Sequence, residues 1–269
     1  MNLIESVCDD LAAIREKRPL VHNITNFVVM NETANAILCI GALPIMSHAV
    51  EEVQEMVGIA SALVLNIGTL APDWIDAMEL AGKQANKANI PVVLDPVGVG
   101  ATTLRTDASK RLLDSVDISI VRGNAGEVAA LAGIDSEVRG VESIGASAPP
   151  EEIAGRFASN YGCAAAITGE VDVVSDGKQV AKISNGHVML SKVVGTGCMA
   201  TVMVGAFAAV DRDPFTAAVG GLAAFGIAGE MAATASGDRP GTFHTELYNA
   251  LYALDGSNIR ALSKVDVEP

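Results

Sequence analysis

The feature that most constrains this chain is a rhythm in which short apolar runs alternate with amphipathic helical stretches. The runs are Leu20-Val21-His22-Asn23-Ile24, Leu43-Pro44-Ile45-Met46, Ala62-Leu63-Val64-Leu65, Pro91-Val92-Val93-Leu94, Ile118-Ser119-Ile120-Val121 and Cys163-Ala164-Ala165-Ala166-Ile167. Several are apolar without alternation, as strands buried on both faces require. Between them, Val50, Val53, Val57 and Ala60 share one face at helical spacing, with Glu51, Glu52 and Glu55 on the other. Ile75, Met78, Ala81 and Ala85 repeat the pattern behind Pro72, a helix opener. Such alternation predicts crossover units and a parallel sheet. After Thr168 the rhythm changes: residues 171–175 and 178–184 flank Asp176-Gly177, a two-residue hairpin signal. The chain then reads as helical from about Cys198 to Leu254, with breaks near 211–214 and 236–241. Ser136 to Pro150 reads as one long polar loop, so residues 1–269 are expected to form a single domain.

Composition removes several function classes. Eighteen Lys and Arg against 32 Asp and Glu leave a net charge of −14, which supplies neither a nucleic-acid footprint nor attraction to an anionic membrane. A mean hydropathy of +0.36 nonetheless raises the question of membrane spans. The charge-free stretches at residues 193–210 and 214–229 fall short of the roughly 20 apolar residues that a span needs. Asp211-Arg212-Asp213-Pro214 breaks them apart, and 17 of the 38 residues from Cys198 to Ala235 are Ala or Gly, which suits close helix packing in a core. No basic region followed by an apolar run opens the chain, and Cys8, Cys39, Cys163 and Cys198 share no metal-like spacing. The expectation is a cytoplasmic protein with reduced thiols.

Ligands of parallel α/β sheets bind at the carboxyl ends of the strands. Here those ends read Asn66-Ile67-Gly68, Asp95-Pro96-Val97-Gly98, Arg122-Gly123-Asn124 and Thr168-Gly169-Glu170. Turn and cap chemistry accounts for any one of them; four on the same edge point to a binding site. Val193-Val194-Gly195-Thr196-Gly197-Cys198 then runs straight into a long apolar helix. The backbone N–H groups of Gly195, Thr196 and Gly197 at that helix start offer a hole for an anion. The motif is neither a Walker loop nor a dinucleotide fingerprint. Cys198 at the same place is either a thiol activated by the helix end or a small buried hydrophobe. Asp95 and Glu127 suit Mg²⁺, or else a turn cap and a favourable charge in a first helical turn. Arg122 suits a phosphate, or pairing with an acid. His22 and His48 read as structural. An anion hole facing acids and an arginine describes phosphoryl transfer, in which positioning and charge neutralisation do most of the work.

Six stretches in order resemble the hydroxyethylthiazole kinases of the ribokinase-like superfamily. They are residues 19–31 (PLVHNITNFVVMN), Leu43-Pro44-Ile45-Met46-Ser47, Asn66-Ile67-Gly68-Thr69-Leu70, residues 93–101 (VLDPVGVGA), residues 120–127 (IVRGNAGE) and Val194-Gly195-Thr196-Gly197-Cys198. The resemblance implies a three-layer α/β/α fold with a mostly parallel central sheet and no separate lid domain. It implies ATP-dependent phosphorylation of the primary hydroxyl of 4-methyl-5-(2-hydroxyethyl)thiazole in thiamine salvage. By motif, Met46 and Gly195 would contact the thiazole with Gly68 nearby, Arg122 and Thr168 would bind ATP, and Asp95 and Glu127 would hold Mg²⁺ directly or through water. The family is usually a homotrimer with sites at subunit interfaces, so Asn23 to Asn26 would contribute to a neighbour's site. Where the superfamily in general places an Asp after its Gly-x-Gly turn, this chain has Cys198, expected to orient the hydroxyl and to help modestly as a base. The rival readings are a kinase of a hydroxymethylpyrimidine or pyridoxal-like alcohol, a hydrolase using Cys198, and a non-catalytic nucleotide-binding protein.

Overall fold

A computed structural model describes residues 2–134, 136–139, 142–146 and 148–268. Helix α1 (Leu3–Lys17) is capped by the Asn2 side chain and stops at Arg18, whose backbone is left-handed. Strand and helix then alternate: β1 (Leu20–Ile24), α2 (Met30–Ile40), β2 (Leu43–Ile45), α3 (Val53–Gly58), β3 (Ala62–Asn66), α4 (Pro72–Lys87), β4 (Val92–Asp95), α5 (Thr103–Ser115), β5 (Ile120–Asn124) and α6 (Ala125–Leu131). A short antiparallel pair follows, β6 (Ser136–Arg139) with β7 (Glu142–Ala146), and then α7 (Pro150–Tyr161) and β8 (Ala164–Thr168). The chain ends with β9 (Asp172–Ser175), β10 (Val180–Ile183), α8 (Thr196–Ala208), α9 (Pro214–Ser236), α10 (Pro240–Ala253), α11 (Gly256–Leu262) and β11 (Val265–Glu268).

Each apolar run becomes a strand with bounds moved by at most three residues, and the expected hairpin forms with residues 176–179 as a four-residue connection between the paired Ser175 and Val180, in place of a two-residue turn. Another expectation is corrected. The stretch from Ser136 to Pro150 is not a single loop but contains the β6–β7 pair, while residues 135, 140, 141 and 147 lie outside the described residues. A two-stranded pair apart from the main sheet carries no apolar run to mark it in the sequence.

The main sheet has nine strands among the described residues, in the order β11-β10-β9-β8-β5-β4-β3-β1-β2. The six strands from β2 to β8 are parallel, and β9, β10 and β11 extend the sheet antiparallel. One apolar cluster on the α1, α2, α8, α9 and α10 side covers one face. A second, on the α3 to α7 side, covers the other. The result is the expected three-layer α/β/α arrangement. Strand residues feed the two clusters alternately, as the pleat requires: Val64 and Val93 face the first, and Leu63, Leu65 and Leu94 the second.

Helix α9 spans 23 residues in all, continuing past Glu230, and is, by length and composition alone, long enough to cross a membrane. Yet 83% of its most apolar window is buried inside the fold, against α1, α8, α10 and the sheet. The Ala and Gly content explains how it fits. A Cβ on Gly221 would come within 2.6 Å of the Val204 backbone, so α8 and α9 approach closely only because that side chain is absent. Phe207 fills the space beside Gly220 and is fully buried; truncating it to Ala would cost about 3–5 kcal/mol.

Candidate active site

The carboxyl ends of β3, β4 and β5 meet the start of α8 at a cleft of about 390 Å³, lined by Asn26, Gly68, Asp95, Arg122, Glu127, Gly195, Gly197 and Cys198. Gly195 is the residue before α8, with φ 89°, and a Cβ there would stand 2.8 Å from Val29 Cγ1. The first backbone N–H groups of α8 have no partner within the helix and carry its positive dipole end. Arg122 lies across that start, its Nη1 3.2 Å from the place a Cβ on Gly197 would occupy.

Asn66 links the strands to the helix. The β3–β4 register sets it opposite Asp95. Its Nδ2 donates to Asp95 Oδ2 at 2.9 Å and to Cys198 Sγ at 3.2 Å. Its Oδ1 accepts from Asn26 Nδ2 at 2.8 Å and from the Gly68 N–H at 2.9 Å. Asn26 Nδ2 also approaches Cys198 Sγ, at 3.6 Å. One turn along α8, Thr201 Oγ1 donates to Asp95 Oδ2 at 2.7 Å. Asp95 is thus buried but hydrogen-bonded from both sides, with Arg122 Nη1 at 3.8 Å.

Burial raises the Asp95 carboxyl above the usual carboxylate range, while Arg122, Thr201 and Asn66 pull it back. Glu127 closes a capping box with Asn124 at the start of α6: its Oε2 accepts from the Asn124 N–H at 2.8 Å, and its Oε1 from the Gly98 N–H at 2.7 Å. Burial, then the Asp95 charge, push its carboxyl up to about 7. The Cys198 thiol is pushed up to about 12 by burial and then by Asp95, against Arg122 and the two asparagine amides. It is therefore a thiol at neutral pH. A lowered value, one of the two readings that its position at a helix start allows, does not hold here, because burial and then the Asp95 charge outweigh Arg122 and the two amides.

Asp95 and Glu127 are the two carboxylates of the cleft, and no cluster of three or more His, Cys, Asp or Glu exists among the described residues. That donor set fits Mg²⁺, which takes one or two carboxylates and completes its shell with water and substrate phosphates. Each Glu127 oxygen already accepts a backbone N–H, which suits contact through water.

The structure brings together Gly68, Asp95, Arg122, Glu127, Gly195, Gly197 and Cys198. Thr168 stands behind Arg122, accepting from its Nη2, and does not line the cleft. Thr196 turns its hydroxyl away to the Leu190 carbonyl at 2.7 Å, leaving only its backbone for an anion. Met46 also does not line the cleft, since it follows β2, the edge strand, with β1 between it and β3. Sequence reasoning misses Thr201, gives Asn66 only as part of a strand end, and assigns Asn26 to a neighbour's site, whereas both asparagines here meet Cys198 of their own chain. The spacing Cys198–Thr201, one helical turn, is the signal that could have found Thr201.

The fold and cleft can be set beside known proteins. The model of the hydroxyethylthiazole kinase family matches residues 11–257. The hydroxyethylthiazole kinase of Roseiflexus castenholzii is 52% identical over 255 residues, covering 95% of this chain and 94% of its own length. That of Chloroflexus aurantiacus is 50% identical over 265 residues, 98% of each chain. Among solved structures, hydroxyethylthiazole kinase from Pyrococcus horikoshii OT3 superposes with a TM-score of 0.90 at 41% identity, over 98% of this chain and 100% of that one. The pyridoxal kinase of Staphylococcus aureus, at 15% identity and a TM-score of 0.60 over 93% of this chain and 98% of that one, shares the fold alone. The cleft geometry, the matched family model and relatives alike from end to end converge: the chain belongs to the hydroxyethylthiazole kinase family.

Proposed function

We propose that this chain transfers the terminal phosphoryl group of ATP to the primary hydroxyl of hydroxyethylthiazole, in thiamine biosynthesis or salvage. The observation that carries the reading is the meeting of Cys198, Asp95 and Arg122 at the start of α8, inside a cleft with a free helix terminus. Phosphoryl transfer asks the protein mainly to align donor and acceptor and to neutralise charge. The N–H groups from Gly195 to Gly197 and the Arg122 guanidinium bind the transferring phosphate, and Thr168 orients Arg122. Asp95 and Glu127 would hold Mg²⁺, directly or through water, and the ion would supply further neutralisation of phosphate charge. The thiazole lies against Gly68 and Gly195, with its hydroxyl at Cys198. Because the thiol is protonated at neutral pH, Cys198 orients the hydroxyl more than it removes a proton; a loose transition state demands little activation.

The active molecule is read as a cytoplasmic homotrimer of single-domain subunits with sites at the interfaces. Phe27, Val28 and Val194, near the cleft mouth, are 65%, 58% and 72% exposed, an apolar rim suited to a neighbouring copy. Met46 lies off its own subunit's cleft, which suits a role in a neighbour's. A hydrolase using Cys198 as nucleophile lacks support: the sulfur's polar partners among the described residues are asparagine amides, not a base.

Mass-spectrometric detection of hydroxyethylthiazole phosphate after incubation with ATP and Mg²⁺, and its loss on chelation, tests the proposal. No phosphorylated product at high enzyme concentration would overturn it.

A further inference from the structure

Two loops form the floor of the cleft, and they come from different strands. The loop after β3 carries Gly68 and Thr69; the loop after β4 carries Val97 and Gly98. Among the described residues, β3 and β4 themselves join these loops at the last ladder positions, where the Ile67 N–H meets the Asp95 carbonyl at 3.3 Å, and through the Asn66 side chain, which bonds both Asp95 and the Gly68 N–H. Both links stop short of Val97, and a third element reaches it. Arg105, in the first turn of α5, donates from Nη1 to the carbonyls of Val97 and of Ile67, and from Nη2 to the carbonyl of Gly68 at 2.6 Å. One guanidinium therefore holds three carbonyls on two loops. Among the described residues it has no carboxylate within 4.0 Å.

The placement of Arg105 is itself prepared. The Thr102 hydroxyl caps α5 by accepting from the Arg105 N–H at 3.3 Å. Thr106, one residue on, accepts at 3.1 Å from the Gly100 N–H, pinning the far end of the same β4 loop. Between these anchors the Gly98 N–H reaches Glu127 Oε1. The β4 loop is thus tied to α5 at both ends and to α6 in its middle. Among the described residues, the β3 loop's hydrogen bonds to α5 come from Arg105.

We infer that Arg105 is a positioning residue that locks the spacing between the substrate side of the cleft, at Gly68, and its phosphate and metal side, at Val97–Gly98. The inference rests on the kinase reading for what the two sides bind, but not for the brace itself. A planar fork with several fixed donors can serve three carbonyls at once; an ammonium on a flexible stem cannot hold the same set. Arg105→Lys keeps the charge and loses the fork.

The test compares wild type with Arg105→Lys and Arg105→Ala. Hydrogen exchange, read well below the melting temperature, is expected to speed up in both residues 66–70 and 96–101 of the Lys variant, with α9 unchanged. Turnover of hydroxyethylthiazole is expected to fall by about 10- to 100-fold through kcat, the size of effect that an ångström-scale misplacement produces. Millimolar guanidinium is expected to restore part of the Ala variant's kcat and none of the Lys variant's. Unchanged exchange in either loop, or unchanged kcat alongside loosened loops, overturns the inference. A wild-type protein inactive on hydroxyethylthiazole would overturn the substrate assignment instead, and the exchange comparison would still decide for or against the brace.

Discussion

Asn66 Nδ2 stands 3.2 Å from Cys198 Sγ and donates to it while also bonding Asp95, so one amide group joins the residue proposed to meet the substrate hydroxyl to the carboxylate proposed to hold the metal. Substituting Asn66→Asp keeps the shape, removes both donors and sets a second carboxylate against a buried one. Leaving buried partners unsatisfied costs about 1–3 kcal/mol each, so denaturant melts should show a loss of at least about 2 kcal/mol. Turnover should fall further than folded fraction does, since the variant misplaces Cys198 and Asp95 together.

Cys198→Ala should keep measurable turnover. If the sulfur mainly orients the hydroxyl, kcat drops by less than about 100-fold, the low end of what general-base catalysis contributes. Steady-state assays across pH 6 to 9 should show the same profile shape for wild type and variant, because the thiol does not ionise in that range. A loss as complete as that caused by chelating the metal would contradict the orienting role.

Gly195→Ala meets two obstacles at once. The backbone is left-handed at φ 89°, which costs an L-residue about 1–2 kcal/mol, and the added Cβ would press on Val29 at 2.8 Å. The strain falls on the first turn of α8. KM for ATP should therefore rise along with the loss of stability, measurable by initial rates at varied ATP.

Asp10 on α1 faces Asp211, between α8 and α9. Burial, then the Asp211 and Asp9 charges, push the Asp10 carboxyl up to about 7, against the pull of Lys17. The folded state binds this proton more tightly than the unfolded state does. Its stabilising contribution is thus full below the ordinary carboxylate value near 4 and is lost as pH rises through about 7. Asp10→Asn, which keeps a donor toward Asp211 and cannot ionise, should remove that slope. Thermal melts from pH 4 to 8 should show the difference between variant and wild type growing in the variant's favour with pH.

What was legible in the sequence follows from what each element buries. The parallel strands lie between two apolar layers, so their runs are continuous and mark themselves; α4 does so through Ile75, Met78, Ala81 and Ala85. Strand β11 is exposed at three of its four positions and carries no such run, so only its pairing with β10 reveals it. In the cleft, Asp95, Arg122 and Cys198 stand out because a charge or a thiol at a strand end or helix start is uncommon chemistry. Asn66 does not, because an asparagine after a strand looks like any turn residue. Its role depends on the β3–β4 register and on α8 returning 132 residues later, neither of which local spacing contains. Arg105 is hidden for the same reason: its partners are carbonyls, which every residue has.

The short edge strand β2 has a consequence for the protein at high concentration. It is three residues long, and its central residue, Pro44, has no N–H to offer an incoming strand. The opposite edge, β11, exposes Asp266 and Glu268. Neither margin of the sheet can template the addition of another chain, which is the route by which open sheets grow into fibrils.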